Sequence, residues 1–270
     1  MHMTNDILQN QLLNRKYNPD KPPPPEQVIL TIQEKVIGTI ENYVVFSGQA
    51  KAGKSTFLTA CIASAFVPKF QDVFGMKIKP IPGRETVCFF DTESSTYDFH
   101  RVINRIKHFA YSENLPASFD AYSLREDNPK AIRTMIRYYL ENNPQCSVLI
   151  IDGFLDLVMN YNDEVETRRL TNWLKKLTKK YQILIIGVLH LAKGTGNTLG
   201  HLGSNTDRWA QSTLIIEKEE TTKQIVLKPK LLRSADTFNP IALMSFQGNW
   251  SQFEYMHPEP EIKKAGKKPA

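Results

Sequence analysis

One short segment constrains this chain more than any other feature of its sequence. Its nine residues, which fit the pattern G-x-x-x-x-G-K-[ST], are Gly48, Gln49, Ala50, Lys51, Ala52, Gly53, Lys54, Ser55 and Thr56. An apolar segment, residues 43–47, precedes them, and an apolar stretch predicted to be helical, residues 57–66, follows. A strand, a glycine-rich loop and a helix in this order form a phosphate-binding loop, because backbone N–H groups and the helix N-terminus point at the phosphates.

The loop predicts ATP and Mg²⁺ as the bound cofactors. Lys54 is expected to reach the β- and γ-phosphates, and the hydroxyl of Ser55 to ligate magnesium. Magnesium also needs a carboxylate, and the buried strand predicted over residues 147–152 ends in one. Asp152 is therefore the second predicted magnesium ligand. An Asp in this position is also common where a strand simply turns into a loop.

The alternation of two hydrophobic patterns predicts an α/β fold. Short apolar segments predict buried parallel strands over residues 43–47, 86–91, 147–152 and 183–190. Between them, apolar residues recur with helical spacing over residues 99–110, 132–140 and 170–181. This order predicts a mostly parallel twisted sheet with helices on both faces. After residue 212 only strand patterns follow, which predicts an antiparallel C-terminal extension over residues 213–217, 224–227 and 241–246.

Hydrolysis of ATP also requires a group that orients the attacking water. The strand predicted over residues 86–91 ends in Asp91, Thr92 and Glu93. Glu93 is the predicted base, and Asp91 competes for the same role. Glu93 also fits a plain surface carboxylate at the start of the next helix, where the helix dipole favours negative charge.

With these motifs in this order, the chain resembles the RecA-like P-loop ATPases. Within them it is similar to the plasmid RepA-type hexameric replicative helicases, AAA-family ATPases of mobile genetic elements, over about residues 28–246. The resemblance implies that Glu93 is catalytic and that His190, which ends the strand predicted over residues 183–190, senses the γ-phosphate. It also implies a homo-oligomer, a ring of six subunits. A His at the end of a strand is more often an ordinary core or turn residue.

The segment after His190 holds four of the chain's thirteen glycines within residues 191–204. The resemblance implies that this loop touches single-stranded DNA, with Lys193 and His201 as contacts to backbone phosphates. The same glycines would equally suit a mobile lid over the nucleotide.

A basic segment, residues 227–233, contains Lys230 and Arg233. The resemblance implies that Arg233 is an arginine finger that acts in the neighbouring subunit's site, with Lys230 as its partner. In the family one residue lies between the Lys and the Arg, whereas two residues lie between Lys230 and Arg233 in this chain. A solvated basic strand is the alternative interpretation.

Charge and composition set the remaining expectations. The net charge of +6 permits a polyanionic partner without requiring one. Residues 1–25 are predicted to form an N-terminal arm with a Pro-rich spacer, residues 26–256 the RecA-like ATPase domain, and residues 257–270 a basic flexible tail. The polar N-terminus and the lack of a long apolar run predict a cytoplasmic protein with no membrane segment. The three cysteines, far apart in sequence, are expected to be reduced and buried.

Three functions remain open at this point. The first is a ring-forming, ATP-driven motor on single-stranded DNA, a helicase of plasmid or mobile-element replication. The second is an ATPase of the same fold that acts as a nucleotide-dependent switch or loader without unwinding a duplex. The third is a small-molecule P-loop kinase. It is disfavoured because such kinases usually carry Arg residues on a lid near the acceptor phosphate, whereas the glycine-rich loop here has only Lys193 before Arg208. A partition-type ATPase is excluded, because that family needs a Lys at the loop position of Gln49.

Overall fold

The computed structural model describes residues 5–191, 200–246 and 249–255. The strands in this part of the chain are β1 (Val28–Ile32), β2 (Lys35–Thr39), β3 (Tyr43–Gly48), β4 (Met76–Ile78), β5 (Thr86–Asp91), β6 (Phe119–Ser123), β7 (Cys146–Asp152), β8 (Leu184–His190), β9 (Ser212–Lys218), β10 (Ile225–Leu232), β11 (Ile241–Phe246) and β12 (Asn249–Phe253). The α-helices are α1 (Asn5–Leu13), α2 (Lys54–Ala63), α3 (Thr96–Phe109), α4 (Pro129–Asn142), α5 (Glu164–Tyr181) and α6 (Gly200–Trp209).

A nine-stranded sheet in the order β12-β11-β10-β9-β3-β8-β7-β5-β6 forms the framework of the fold. The strands from β9 to β6 in this order run parallel, so their carboxyl ends share one edge. That edge carries the loop after β3 and the ends of β5, β7 and β8. Because ligands of open α/β sheets bind outside the carboxyl ends of the strands, this arrangement locates the site.

Helices cover both faces of the sheet, as the sequence predicts. On one face, buried side chains of α2 and α3, such as Phe57 and Ile106, pack against Val44 and Phe46 of β3. On the other face, α4, α5 and the 3-10 turn Phe154–Leu157 pack with Tyr43 and Val45. Successive residues of β3 thus point into two separate cores, which is why this strand is apolar throughout. The predicted α/β, RecA-like P-loop fold is confirmed.

Two details of the strand predictions are wrong. The antiparallel extension begins one strand later than predicted, because β9 pairs with β3 in parallel, with Val44 opposite Ser212. Helix α6 provides the crossover, and its many small and polar residues gave it little helical periodicity in the sequence. Strands β10 and β11 are antiparallel, as predicted, and β12, which was not predicted, continues the antiparallel pairing. A separate three-stranded sheet, β2-β1-β4, and the strand β6 were not predicted.

The outer parts of the chain have a simpler description. Helix α1 of the predicted N-terminal arm has no buried residue. The predicted tail, residues 257–270, lies outside the described residues. Cys61, Cys88 and Cys146 are buried and form no disulfide. In the described part of the chain, no helix is long and apolar enough to cross a membrane.

Candidate active site

The glycine-rich loop places Lys54 in the first turn of α2. Gly53 precedes the helix with φ of 96°, a left-handed conformation that favours glycine. A Cβ atom at Gly53 would also lie 2.7 Å from Cδ1 of Ile225. The left-handed backbone therefore favours glycine here, and the side chain of Ile225 would have to shift to admit any other residue. The helix begins earlier than the predicted residue 57, because Lys54, Ser55 and Thr56 form its first turn.

A cavity of about 520 Å³, the candidate nucleotide cavity, opens beside this loop at the carboxyl edge of the sheet. The loop contributes Ala50, Lys51, Gly53, Lys54, Ser55 and Thr56. The ends of three parallel strands contribute Glu93, Asp152 and His190. Gln49 and Ala52 line an adjacent cavity instead, and Gly48 accepts a hydrogen bond from Lys54. The fold therefore brings most of the predicted nucleotide-site residues, which are spread over more than 140 positions of the sequence, to a single cavity.

Lys54, His190 and Glu93 form a chain of hydrogen bonds along the wall of this cavity. The ammonium of Lys54 lies 3.2 Å from Nδ1 of His190, and Nε2 of His190 lies 3.0 Å from Oε1 of Glu93. Because the ammonium is only a donor, Nδ1 must accept and the proton of the neutral ring belongs on Nε2, which donates to Glu93. Register places His190 opposite Gly48, which explains how it reaches the loop.

Burial and neighbouring charges shift the ionisation of these groups. The hydrogen bond from His190 is the largest effect on Glu93 and holds the pKa of its carboxyl below the ordinary value, against the effect of burial. Burial lowers the pKa of Lys54, and the charges of Glu93 and Asp152 partly offset this shift. Glu93 is thus ionised at neutral pH and can accept a hydrogen bond from water.

Asp152 has the properties of a carboxylate that needs a cation. Its side chain is buried, and it accepts no hydrogen bond from the residues that the structure describes. Burial, together with the charges of Glu93 and Asp91, raises the pKa of Asp152 to about 8, and the charge of Lys54 opposes this shift. Ser55 lines the same cavity. A hydroxyl and a carboxylate are the hard oxygen donors that Mg²⁺ prefers, so the donor set fits magnesium.

Asp91, the competing candidate base, is held elsewhere. It is fully buried and does not line the nucleotide cavity. Its Oδ1 accepts hydrogen bonds from the backbone N–H groups of Glu93, at 3.0 Å, and Ser94, at 2.7 Å. Asp91 therefore shapes the turn that presents Glu93.

Sequence reasoning missed the side chains that the C-terminal strands add to the cavity. These are Lys218, Lys223, Ile225, Ser245 and Trp250. Trp250, on β12, is partly exposed and pairs with Ser245 across β11. No local pattern marks these residues, since the pairing of β9 with β3 and the antiparallel pairing of β10, β11 and β12 bring them near the loop.

Arg233 lies at the edge of the sheet opposite the candidate nucleotide cavity of the same subunit. Strand β10 runs antiparallel to β9, so Ile225 is near the loop, whereas Leu232 pairs with Ser212 at the start of β9. The exposed guanidinium of Arg233 donates to the carbonyl of Arg208. Its predicted partner Lys230 forms an ion pair with Asp207 at 2.9 Å.

The structure describes only one of the two predicted nucleic-acid contacts. Lys193 lies outside the described residues. His201 is exposed in the first turn of α6 and does not line the nucleotide cavity.

A family model described as an AAA domain matches residues 23–196, well over half of the chain. The chain belongs to the AAA domain family. It is therefore a P-loop ATPase of the AAA/RecA-like type, and such ATPases use a nucleotide, usually with Mg²⁺. The matched range includes Lys54, Glu93, Asp152 and His190, whereas Arg233 lies beyond it. A search of curated proteins gives no match to the chain.

Proposed function

We propose that this AAA-family ATPase is a ring-forming motor that hydrolyses MgATP while it binds or moves along single-stranded DNA, in the replication or mobilisation of a plasmid or other mobile element. The observation that supports coupling most is the hydrogen-bonded chain from Lys54 through His190 to Glu93. His190 ends β8, and the polypeptide continues directly into the segment that holds Lys193. A change at the γ-phosphate is thereby linked to the segment proposed to contact DNA.

In this proposal Glu93 orients water for in-line attack and accepts its proton. Oε1 of Glu93 is bonded to His190, which leaves Oε2 for the water. Lys54 stabilises the charge that develops on the phosphate oxygens. Ser55 and Asp152 are the proposed magnesium ligands, and the bound ion would neutralise phosphate charge.

The position of Arg233 supports an assembly of several subunits. Because it is exposed at the edge opposite its own cavity, Arg233 can reach a nucleotide only in a neighbouring subunit. An arginine supplied in trans raises turnover by roughly 10³-fold or more in other phosphoryl-transfer systems. The proposed assembly is a homo-oligomeric ring of six subunits.

A switch or loader is the second candidate, because the same Lys54–His190–Glu93 chain would also couple nucleotide state to partner binding. Only the motor is expected to unwind a duplex in an ATP-dependent manner. The P-loop kinase ranks third. Its hydrolysis should stay low until a small-molecule acceptor is added, whatever DNA is present.

The decisive experiment measures ATP hydrolysis with and without oligothymidylate at two salt concentrations, with mass determined by light scattering in the same buffers. We expect DNA to stimulate hydrolysis at low salt, the stimulation to fall at high salt, and the mass to be that of a ring. Alanine at Lys193 or His201 should reduce the salt dependence of DNA binding. Hydrolysis that ignores DNA, from a monomer or dimer, would contradict the motor.

Mixing experiments test the role of Arg233. Arg233→Ala should keep nucleotide binding, lose hydrolysis, and inhibit wild-type subunits when the two are mixed. Glu93→Gln should lower kcat by roughly 10²-fold or more without weakening ATP binding. Lys35→Ala, at an exposed position of β2, is the matched control. Activity proportional to the fraction of wild-type subunits would rule out a finger in trans.

A further inference from the structure

A second cavity, of about 410 Å³, adjoins the proposed nucleotide cavity. Ser55 and Glu93 line both cavities, so these two side chains form the wall between them. On the far side of that wall the second cavity is lined by three arginines, Arg101, Arg105 and Arg125. We infer that this arginine cleft binds a phosphate group that does not belong to the nucleotide.

The arginines lack the partners that would make them structural. The guanidinium groups of Arg105 and Arg125 form no ion pair or hydrogen bond with any residue that the structure describes. Arg101 has a long, exposed ion pair with Asp98, at 3.6 Å, a type of contact that contributes little to stability. An arginine guanidinium carries five donors in a planar fork that matches phosphate oxygens, and here most of those donors are available.

The placement of two of these arginines is unfavourable for the isolated helix. Arg101 and Arg105 are four residues apart on α3, so their charges lie on one face of the helix and repel each other. Burial and the charge of Arg101 lower the pKa of Arg105. A bound anion would relieve both the repulsion and the cost of burial.

The rest of the cleft wall also suits an oxyanion. The hydroxyl-bearing residues Ser94 and Ser95 line it. A neighbouring cavity of about 520 Å³ shares them and Arg125, but Glu126 and Asp127 line that cavity and not the cleft. Two carboxylates are present as well. Asp98 is already bonded to Ser95 and Arg101, and Glu93 to His190. Three guanidinium groups thus outnumber two carboxylates whose charges are partly compensated.

A phosphate in the cleft has two possible sources with the same chemistry. One is the inorganic phosphate that hydrolysis releases, since Glu93 stands between the cleft and the proposed γ-phosphate position. The other is a backbone phosphate of the bound nucleic acid. Either source would make the cleft a direct link between turnover and a second ligand. The inference rests on the proposed nucleotide site for its location.

The test saturates the nucleotide cavity first, because free phosphate also binds phosphate loops. Binding of a non-hydrolysable MgATP analogue is measured on its own, so that failure of the nucleotide site is seen separately. Inorganic phosphate is then titrated against the thermal unfolding midpoint, and a fluorescent oligothymidylate against its anisotropy. The double variant Arg105→Ala/Arg125→Ala is compared with Arg137→Ala, an exposed arginine of α4 that lines neither cavity.

We expect the double variant to bind phosphate or oligothymidylate about tenfold more weakly than the wild type. Its affinity for the analogue and its unfolding midpoint should stay close to wild type. Loss in the phosphate titration identifies the reaction product as the ligand, and loss in the anisotropy titration identifies the nucleic-acid backbone. The inference is overturned if neither titration changes, or if Arg137→Ala has an effect of the same size.

Discussion

The two edges of the main sheet use cationic side chains in different ways. At the carboxyl edge, Lys54 contacts the carbonyls of Gly48 and Gln49 and the ring of His190, and it lines an open cavity. At the opposite edge, Arg84 donates four hydrogen bonds to the carbonyls of Pro144, Cys146, Tyr181 and Gln182. Arg84 thus connects the segments that enter β7 and β8, and it lines neither the nucleotide cavity nor the arginine cleft.

The carboxylates follow the same division. Asp207, at the edge opposite the loop, pairs with Lys230 at 2.9 Å and accepts a hydrogen bond from Thr213. The carboxylate of Asp152, at the carboxyl edge, accepts no hydrogen bond from the described residues, and its pKa is raised to about 8. Buried charges are normally paired. Because the carboxylate of Asp152 has no hydrogen-bond partner among the described residues, a ligand is expected to supply one at the carboxyl edge.

The largest expected effect is the loss of turnover on replacing Lys54. Lys54→Ala should lower kcat by roughly 10²–10³-fold, because it removes the cation proposed to stabilise the transferred phosphate. The free energy of unfolding should change little, because the cost of burying the ammonium, which lowers its pKa, offsets its hydrogen bonds to the carbonyls of Gly48 and Gln49. Lys77→Ala, at an exposed position of β4, controls for loss of a charge. Hydrolysis at the wild-type rate would show that the nucleotide site has been assigned wrongly.

The opposite result is expected for Arg84. Arg84→Ala should lower the free energy of unfolding by about 3 kcal/mol, because four carbonyls, three of them in partly buried hydrogen bonds, lose a charged donor. The KM for ATP of the folded fraction should stay near the wild-type value. Urea unfolding and initial rates at a temperature well below the transition measure the two quantities. Equal losses of stability for Arg84→Ala and Lys54→Ala would remove the distinction between the edges.

The sequence predicted the carboxyl edge better than its surroundings, for a physical reason. The strands that end at Asp91, Asp152 and His190 are continuous apolar runs, so their ends could be read from local pattern. Contacts set by long-range pairing could not. The position of Trp250 depends on the register of three antiparallel strands, and that of Arg125 depends on the unpredicted strand β6.

The pH dependence of stability tests whether Asp152 awaits a cation. Folded Asp152 keeps its proton up to pH of about 8, whereas in the unfolded chain it loses it near pH 4. The folded state therefore binds more protons between these values, and the free energy of unfolding should fall as pH rises. Between pH 5 and pH 8 we expect a loss on the order of 3–4 kcal/mol in wild type that Asp152→Asn lacks.

Urea unfolding at the two pH values, with and without Mg²⁺, measures this difference. Magnesium should restore stability at pH 8 in the wild type, because it binds the ionised carboxylate, and it should do less for Asp152→Asn. Identical pH slopes for the two proteins would show that Asp152 is not the group responsible.

The smallest expected effect concerns the apolar part of the carboxyl edge. Trp250 and Ile225 line the nucleotide cavity together with the loop, and an aromatic ring offers a stacking surface to a base. Trp250→Ala should weaken ATP binding about tenfold, the size typical of one stacked base, yet leave the affinity for inorganic tripolyphosphate unchanged. Phe253→Ala, on the same strand but outside the cavity, is the matched control. Equal weakening of ATP and tripolyphosphate would mean that Trp250 supports the loop rather than the base.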